Sequence, residues 1–559
     1  MNRRAFLQHT AGTALCFPAV ITSSCSARKD YDLLITGGIV YDGLGNPGIH
    51  ADVAISRDRV VAIAPGIPTN KASEVIEAKG LAVAPGFVDP HTHTDIQLLI
   101  NPKAESKIRQ GVTSEIGGNC GGSQFPLTEK SFEGKAGYFS QEFDVELTWR
   151  DVTGFFSRLE ETGMALNYAT LLGHGSLRSF VMGPYDRPPT EEELTLMRQL
   201  ITENMRAGVL GMSTGLIYPP SSFARIDELV ELCRTVSRFG GVHASHIRGE
   251  AETVLDAVDE VLAISRESGA SLQVSHIKAM NPGNWDKIDD VLSSVERGKR
   301  DNLNVMADRY PYSASSTGLA SFFPQWAREG GTEDFIARLR DMTLDPKLRS
   351  YLKMREEQTG SWENVLISSV HTDKNNVLVG KTVLQAAKEN EKSPFDFMRD
   401  LLIEEEGHVA VVKFVMSEDN LKQVLAHPLV MIGSDGNVLA PYGQLSKGQP
   451  HPRSYGTFPR VLGKYVREEG VLTLPDAIKK MTSMAAGKFG LTGRGQLMVG
   501  AFADITVFNP DTVIDRATFS NPHQYPTGIE YVIVNGTTVI AGGDHTGNLP
   551  GKVLKHTAT

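Results

Sequence analysis

Eight short apolar runs, set between amphipathic stretches, leave few folds open to this chain. The runs are Leu81–Asp89, Val112–Gly117, Asn167–Gly173, Val209–Ser213, Gly241–Ser245, Leu272–Ser275, Asn304–Asp308 and Val430–Gly433. Between several of them, Glu191–Ala207, Ile226–Phe239 and Ala251–Ser268 carry apolar residues three and four apart, the spacing of a helix with one buried face. The steps from His93 to Cys120 and from His246 to His276 each match one strand–helix–strand unit of about thirty residues. Eight such units predict an α/β fold, a closed parallel (β/α)8 barrel of the TIM type.

The remaining chain divides around that barrel. The step from the seventh run to the eighth is far longer than one unit and holds further helical patterns and the strand-like ENVLISSVH. An inserted α/β subdomain is expected over 325–428, splitting the catalytic barrel into 81–324 and 429–489. Near the ends, DLLITGGIVYDG, ADVAISRDRVVAIA, FADITVFNP and IEYVIVNGTTVIAGG read as short strands, with Asn535-Gly536 a hairpin turn. Residues 28–80 and 490–550 are expected to join in one small β-sandwich.

Active sites of such barrels lie at the carboxyl ends of the strands. Those ends carry His91 and His93 in PHTHTD, Cys120 in GNCG, His246 in HASHIRGE, His276 and Lys278 in VSHIKAM, and Asp435 in MIGSDG. Residues two apart on a strand share a face, so His91 and His93 can converge, as can His276 and Lys278. Thiolate, imidazole and carboxylate are good zinc ligands, and a sulfur between two cations is held deprotonated. A lone strand-end histidine is more often a hydrogen-bonding residue, a lone cysteine core, and an Asp after Ser a helix cap. Six such residues at five of eight strand ends point instead to a metal centre. His174, in LLGHGS, is read as structural, and Cys233, in DELVELCRTV, as a small residue on a buried helix face, unpaired with Cys120.

A net charge of −10 argues against nucleic acid as a partner, since phosphate binding requires a basic face. Residues 1–27 read as an export signal: Arg3-Arg4 with Phe6-Leu7, then an apolar stretch too short to remain as a membrane span. The pattern resembles a twin-arginine signal, and Cys25 stands where a lipoprotein would carry its lipid anchor. An exported, periplasmic or envelope-attached protein is the expectation.

With these motifs in order, the chain resembles the D-aminoacylases, the N-acyl-D-amino-acid deacylase family of the amidohydrolase superfamily. The resemblance covers about residues 30 to 550, and GNCG is its most specific part. Where hydantoinases and dihydroorotases bridge two metals with a carboxylated lysine, this group uses a cysteine, matched by Cys120. The resemblance implies one tight zinc site formed by Cys120, His246 and His276. It implies a second, weaker site formed by His91, His93, Cys120 and Asp435. It further implies a carboxylate-binding role for Arg453 in HPRSYGTFPR and for Tyr310 and Ser316 in DRYPYSASST, with Tyr312 the competitor of Tyr310. Tyr218 in GLIYPP matches a position on the acyl side.

A metal there lets a water be activated near neutral pH and an amide carbonyl be polarised. Asp435 is the expected general acid and base, passing the water proton to the leaving amine. Lys278 and Arg453 are the cations expected to receive the free carboxylate beside the scissile amide. Gly436 to Pro452 reads as a lid, and Phe125 to Trp149 as a long aromatic loop. Hydrolysis of N-acyl-D-amino acids by metal-activated water is the leading expectation. A dipeptidase for L-Xaa-D-Xaa peptides, a cyclic-amide hydrolase and a catalytically dead binding protein on the same scaffold stay open.

Overall fold

The computed structural model describes residues 29–556. The expected export signal over residues 1–27, with Cys25, lies outside the described residues.

Eight parallel strands run in chain order: β1 Phe87–Asp89, β2 Val112–Gly117, β3 Asn167–Thr170, β4 Gly211–Gly215, β5 Val242–His246, β6 Ser271–Val274, β7 Val305–Arg309 and β8 Val430–Ile432. β1 to β3 pair in sequence, and β4 to β8 do likewise. The two groups meet through Leu172–Gly173, which continues β3 and pairs with β4. The circle closes beyond β1 and β8, where Asp435 N donates to His91 O at 2.8 Å and His93 N to Gly436 O at 2.9 Å. Closure therefore brings the two histidines of strand one beside Asp435 of strand eight.

Several local differences from the sequence reading have simple causes. The run Leu81–Asp89 is two strands, because Pro85-Gly86 breaks it. Ala82–Pro85 pairs with Ile505–Phe508 in the sheet built from the chain ends, and only Phe87–Asp89 enters the barrel. A side chain at Gly86 would overlap Thr113 of β2, so the crossing between sheets needs glycine. β4 starts later than Val209 because the preceding helix, Glu191–Ala207, is capped by Gly208 at φ 113°, and Val209 N still bonds Asn204 O. That helix begins with a reciprocal capping box between Thr190 and Glu193. The stretch from Phe125 to Trp149 is not a plain loop: Glu129–Phe143 is helical, capped by Thr128.

The chain ends form one connected nine-stranded sheet, bent where Tyr31–Val40 shifts register between Ile35 and Gly38. Its core contains Leu33, Val53, Ile55, Val83, Ile505 and Ile533. The inserted region has its own core around Phe322, Trp362, Ile367 and Met398. Its three-stranded antiparallel sheet, Ser315–Gly318, Ala410–Lys413 and Val365–Ser369, reaches back ahead of residue 325. At its other end, helix Glu418–Ala426 packs on β8 and belongs to the barrel wall. This sheet runs Ser315 and Lys413 side by side toward the carboxyl face of the barrel.

Candidate metal centre and substrate cleft

Three imidazoles from three strand ends converge on the sulfur of Cys120, at the end of a fourth. Its Sγ lies 3.4 Å from His91 Nε2, 3.6 Å from His276 Nε2 and 3.7 Å from His246 Nδ1. Zinc bound tetrahedrally by sulfur at about 2.3 Å and nitrogen at about 2.0 Å sets such atoms roughly 3.6 Å apart, so the donor set has the spacing of a metal cage. On the other side, Asp435 Oδ1 is 2.9 Å from His93 Nε2 and 3.4 Å from His91 Nε2. One ligand atom each from His91, Cys120, His276 and Asp435 fall within 4.8 Å of one another, and so do atoms of His246, Glu250 and His276. Cys120 is the sulfur shared between the His246–His276 pair and the His91–Asp435 side.

The backbone is bent to achieve this. Cys120, His276 and Asp435 adopt φ of 51°, 38° and 51°, the left-handed region that non-glycine residues avoid. Three such residues, all with donor atoms in one cluster, mark a functional centre. Gly121 makes room for the bend: a Cβ there would sit 2.7 Å from Gly215 N at the end of β4.

Two carboxylates that the sequence reading missed orient the imidazoles. Asp308, at the end of β7, lies 3.2 Å from His91 Nδ1 and accepts from His276 N at 2.8 Å and Gln273 Nε2 at 2.9 Å. Glu250, four residues after His246, lies 3.0 Å from His276 Nδ1 and 3.7 Å from His246 Nε2. The acid in HASHIRGE and the strand-end acid in VMADR were the available signals. Partners on the far ring nitrogen fix tautomer and orientation, as in metal-binding histidines generally. His246 Nε2 is buried without a hydrogen bond.

The charges support one another. Burial raises the Cys120 thiol pKa, but His91 and hydrogen bonds from His246 and His276 outweigh it and hold it well below the usual thiol range. For Asp435, burial is again opposed, here by Arg453, His91, His276 and His93, and its carboxyl stays well below the usual range. Burial of His91 is overcome by Asp308, Cys120 and Asp435, which raise its pKa well above 6.5. These directions describe anionic donors that draw protons onto the neighbouring imidazoles, the place a divalent cation takes when it binds.

His93, Cys120, Tyr218, His246, His276, Lys278, Tyr310, Ser316 and Asp435 line a single cavity of ≈ 50 Å³. Tyr218 Oη is 3.3 Å from Thr317 Oγ1, and the buried Tyr310 hydroxyl has no protein partner. Tyr312 instead points away, toward Pro452 O and Asp515. A neighbouring cavity of ≈ 370 Å³ shares Cys120 and Tyr218 and is lined further by Pro126, Leu127 and Phe180.

Two expectations about the cations change. Lys278 does not share a strand face with His276, because β6 ends at Val274 and His276 is bent to positive φ. Its ammonium folds back on Glu250, His276 Nδ1 (2.8 Å) and His276 O (2.8 Å). Arg453 stands behind the lining: Nη1 donates to Asp435 Oδ2 at 2.6 Å, and the guanidinium lies 4.9 Å from the Tyr310 ring centre. Its other nitrogens make no hydrogen bond among the described residues. In the stretch after Asp435, expected as a lid, Leu439 N is bonded to Ser106 Oγ and Tyr442 Oη to Glu105. His174 is held by Ser221 at 2.7 Å and Glu228 at 3.0 Å, away from the cluster. Cys233 is buried and unpaired.

An amidohydrolase family model matches residues 74–320 and 381–540. The D-aminoacylase of Alcaligenes xylosoxydans xylosoxydans is 35% identical, over 96% of this chain and 100% of its own length. The N-acyl-D-glutamate deacylase of the same organism is 36% identical, over 95% and 98%. The crystal structure of N-acyl-D-glutamate deacylase from Bordetella bronchiseptica, complexed with zinc and a phosphonate mimic of the tetrahedral intermediate, superposes with a TM-score of 0.79. It is 33% identical and covers 94% of this chain and 99% of that one.

Proposed function

The chain belongs to the amidohydrolase family, and from that premise we propose that it is a zinc-dependent deacylase releasing a D-amino acid and a carboxylate from N-acyl-D-amino acids. The observation that carries this reading is the Cys120 sulfur facing three imidazoles, with the Asp435 carboxylate in the same cluster, beside His91 and His93.

Cys120, His246 and His276 would hold the tight zinc. His91 and His93, with Cys120 and Asp435, would hold a second. When bound, zinc activates water and polarises the amide carbonyl. Every other part of the chemistry falls to side chains. Asp435, ionised beside Arg453, takes the proton of the attacking water and returns it to the leaving amine. Asp308 and Glu250 keep the imidazoles aimed inward. The uncommitted nitrogens of Arg453, the unpartnered Tyr310 hydroxyl and Ser316 receive the α-carboxylate, with Lys278, held on Glu250 and His276, adding its charge nearby, and Tyr218 steadies the acyl side. A carboxylate bound by these groups places the adjoining amide over the cluster.

The test is a panel of N-acetyl-D- and L-amino acids, L-Xaa-D-Xaa dipeptides and hydantoins, with chelator and with zinc restored. Chelator-sensitive turnover confined to the acyl-D-amino acids is expected. Turnover that survives chelation, or a preference for dipeptides or hydantoins, would overturn the proposal. The Arg3-Arg4 pair and following apolar stretch support export of the folded enzyme. Fractionation of a producing cell should then find it outside the cytoplasm, and retention in the cytosol would refute export.

A further inference from the structure

Three cations stand at the insert side of the cleft with no carboxylate to meet them. Lys413 ends the insert strand Ala410–Lys413 and lines the same cavity as the metal cluster. Arg328 donates to Ile217 O, itself part of the cavity wall, at 3.3 Å. Arg355 approaches the Phe322 ring that Lys413 also approaches, at 5.9 and 5.5 Å from its centre. Among the described residues, none of the three has a carboxylate oxygen within 4.0 Å, and the buried Nε atoms of Arg328 and Arg355 have no hydrogen-bond partner. The two acids of the cleft cannot serve them, because Glu250 is engaged by Lys278 and His276, and Asp435 by Arg453. Natural proteins seldom gather unpaired cations in a partly buried wall, since each charge is costly there without a counter-charge.

We propose that this wall receives a second carboxylate of the substrate, carried on the D-amino-acid side chain, so that the preferred substrates are N-acyl derivatives of acidic D-amino acids. The inference rests on the deacylase reading above and extends it to substrate class. Lys413 is the contacting group, because it alone of the three lines the cavity. Arg355 and Arg328 supply the field behind it. The amino-acid end rather than the acyl end is indicated by register: Lys413 pairs with Ser315, next to Ser316, on the insert's own sheet. Burial, with Arg355 and Lys278 adding to it against the pull of Glu250, lowers the Lys413 ammonium to about 8, a cost that a bound carboxylate relieves.

The experiment measures kcat/KM of the zinc-loaded protein for N-acetyl-D-glutamate, N-acetyl-D-glutamine, N-acetyl-D-methionine, N-acetyl-D-alanine and N-succinyl-D-alanine. It uses wild type, Lys413→Met, Lys413→Arg and Lys413→Glu. Wild type should favour D-glutamate over D-glutamine at least about 10-fold, as a charge-assisted hydrogen bond provides. Lys413→Met should shrink that ratio by about 10- to 100-fold, Lys413→Arg should keep it, and Lys413→Glu should invert it. Turnover of neutral acyl-D-amino acids with no acidic preference, or a ratio unmoved by Lys413→Met, overturns this inference alone. A gain seen only with N-succinyl-D-alanine over N-acetyl-D-alanine overturns the side-chain assignment. Failure of every acyl-D-amino acid would overturn the deacylase reading beneath it.

Discussion

Replacing Lys107 by methionine tests whether a buried charge network supports the site. Lys107, Asp89 and Glu115 are all 0% exposed. Lys107 Nζ is 2.8 Å from Asp89 Oδ2 and 3.9 Å from Glu115 Oε2, and it also bonds Ser434 Oγ at 2.5 Å. Asp89 in turn accepts from Ser434 N at 2.9 Å and His91 N at 3.3 Å, joining the start of the barrel to both sides of the metal cluster. Burial lifts the Glu115 carboxyl to about 8 despite Lys107, so at pH 7 it keeps its proton and Asp89 alone needs the cation. At 2.8 Å and an effective dielectric constant of about 20, the pair attracts by about 6 kcal/mol, most of it offset by desolvation. Removing only the lysine strands Asp89, which should cost about 3–5 kcal/mol. Removing both charges in Lys107→Met/Asp89→Asn should recover at least half of that. Urea unfolding followed by tryptophan fluorescence reads the barrel transition, with the inserted region's own transition compared separately. A loss below about 1 kcal/mol for Lys107→Met, or no recovery in the double variant, would refute the reasoning.

Other consequences follow from the same geometry. Glu115, raised from 4.5 to about 8, binds a proton in the folded state that the unfolded chain has already lost, so stability should fall as pH rises between those values. Glu115→Gln should flatten that slope in denaturation midpoints at pH 5 and pH 8, and an unchanged slope would count against it. In metal-free protein the Cys120 thiolate should be alkylated by iodoacetamide even at pH 6 and shielded by zinc, while buried Cys233 stays unmodified. Asp435→Asn should cut turnover by about 10²–10⁴-fold while one zinc remains bound, read by metal analysis beside kinetics. Asp308→Ala should weaken zinc retention or activity by about 10- to 100-fold, measured by competition with a chelator.

Much of the architecture was legible because apolar runs and strand ends obey short-range rules. β2 was read to the residue, and the candidate ligands drew notice because each follows an apolar run. Where local patterns failed, tertiary pairing decided. Pro85-Gly86 looks like an interruption in one strand until Ile505–Phe508 is seen to take its first half. The folding back of Lys278 onto Glu250 depends on the positive φ of His276, which strand periodicity cannot register. Asp308 and Glu250 went unread because they act on His91 and His276, which follow other strands, and only the step from His246 to Glu250 left a local signal. Lys413 reached the cleft only through the insert's sheet, far along the chain from every other lining residue except Asp435.

The central claim is that one sulfur and the imidazoles around it hold zinc. X-ray absorption at the zinc edge of the loaded protein tests this most directly. The account predicts a zinc–sulfur distance of about 2.3 Å that disappears in Cys120→Ser. A spectrum of nitrogen and oxygen ligands alone, the same in wild type and Cys120→Ser, would contradict it.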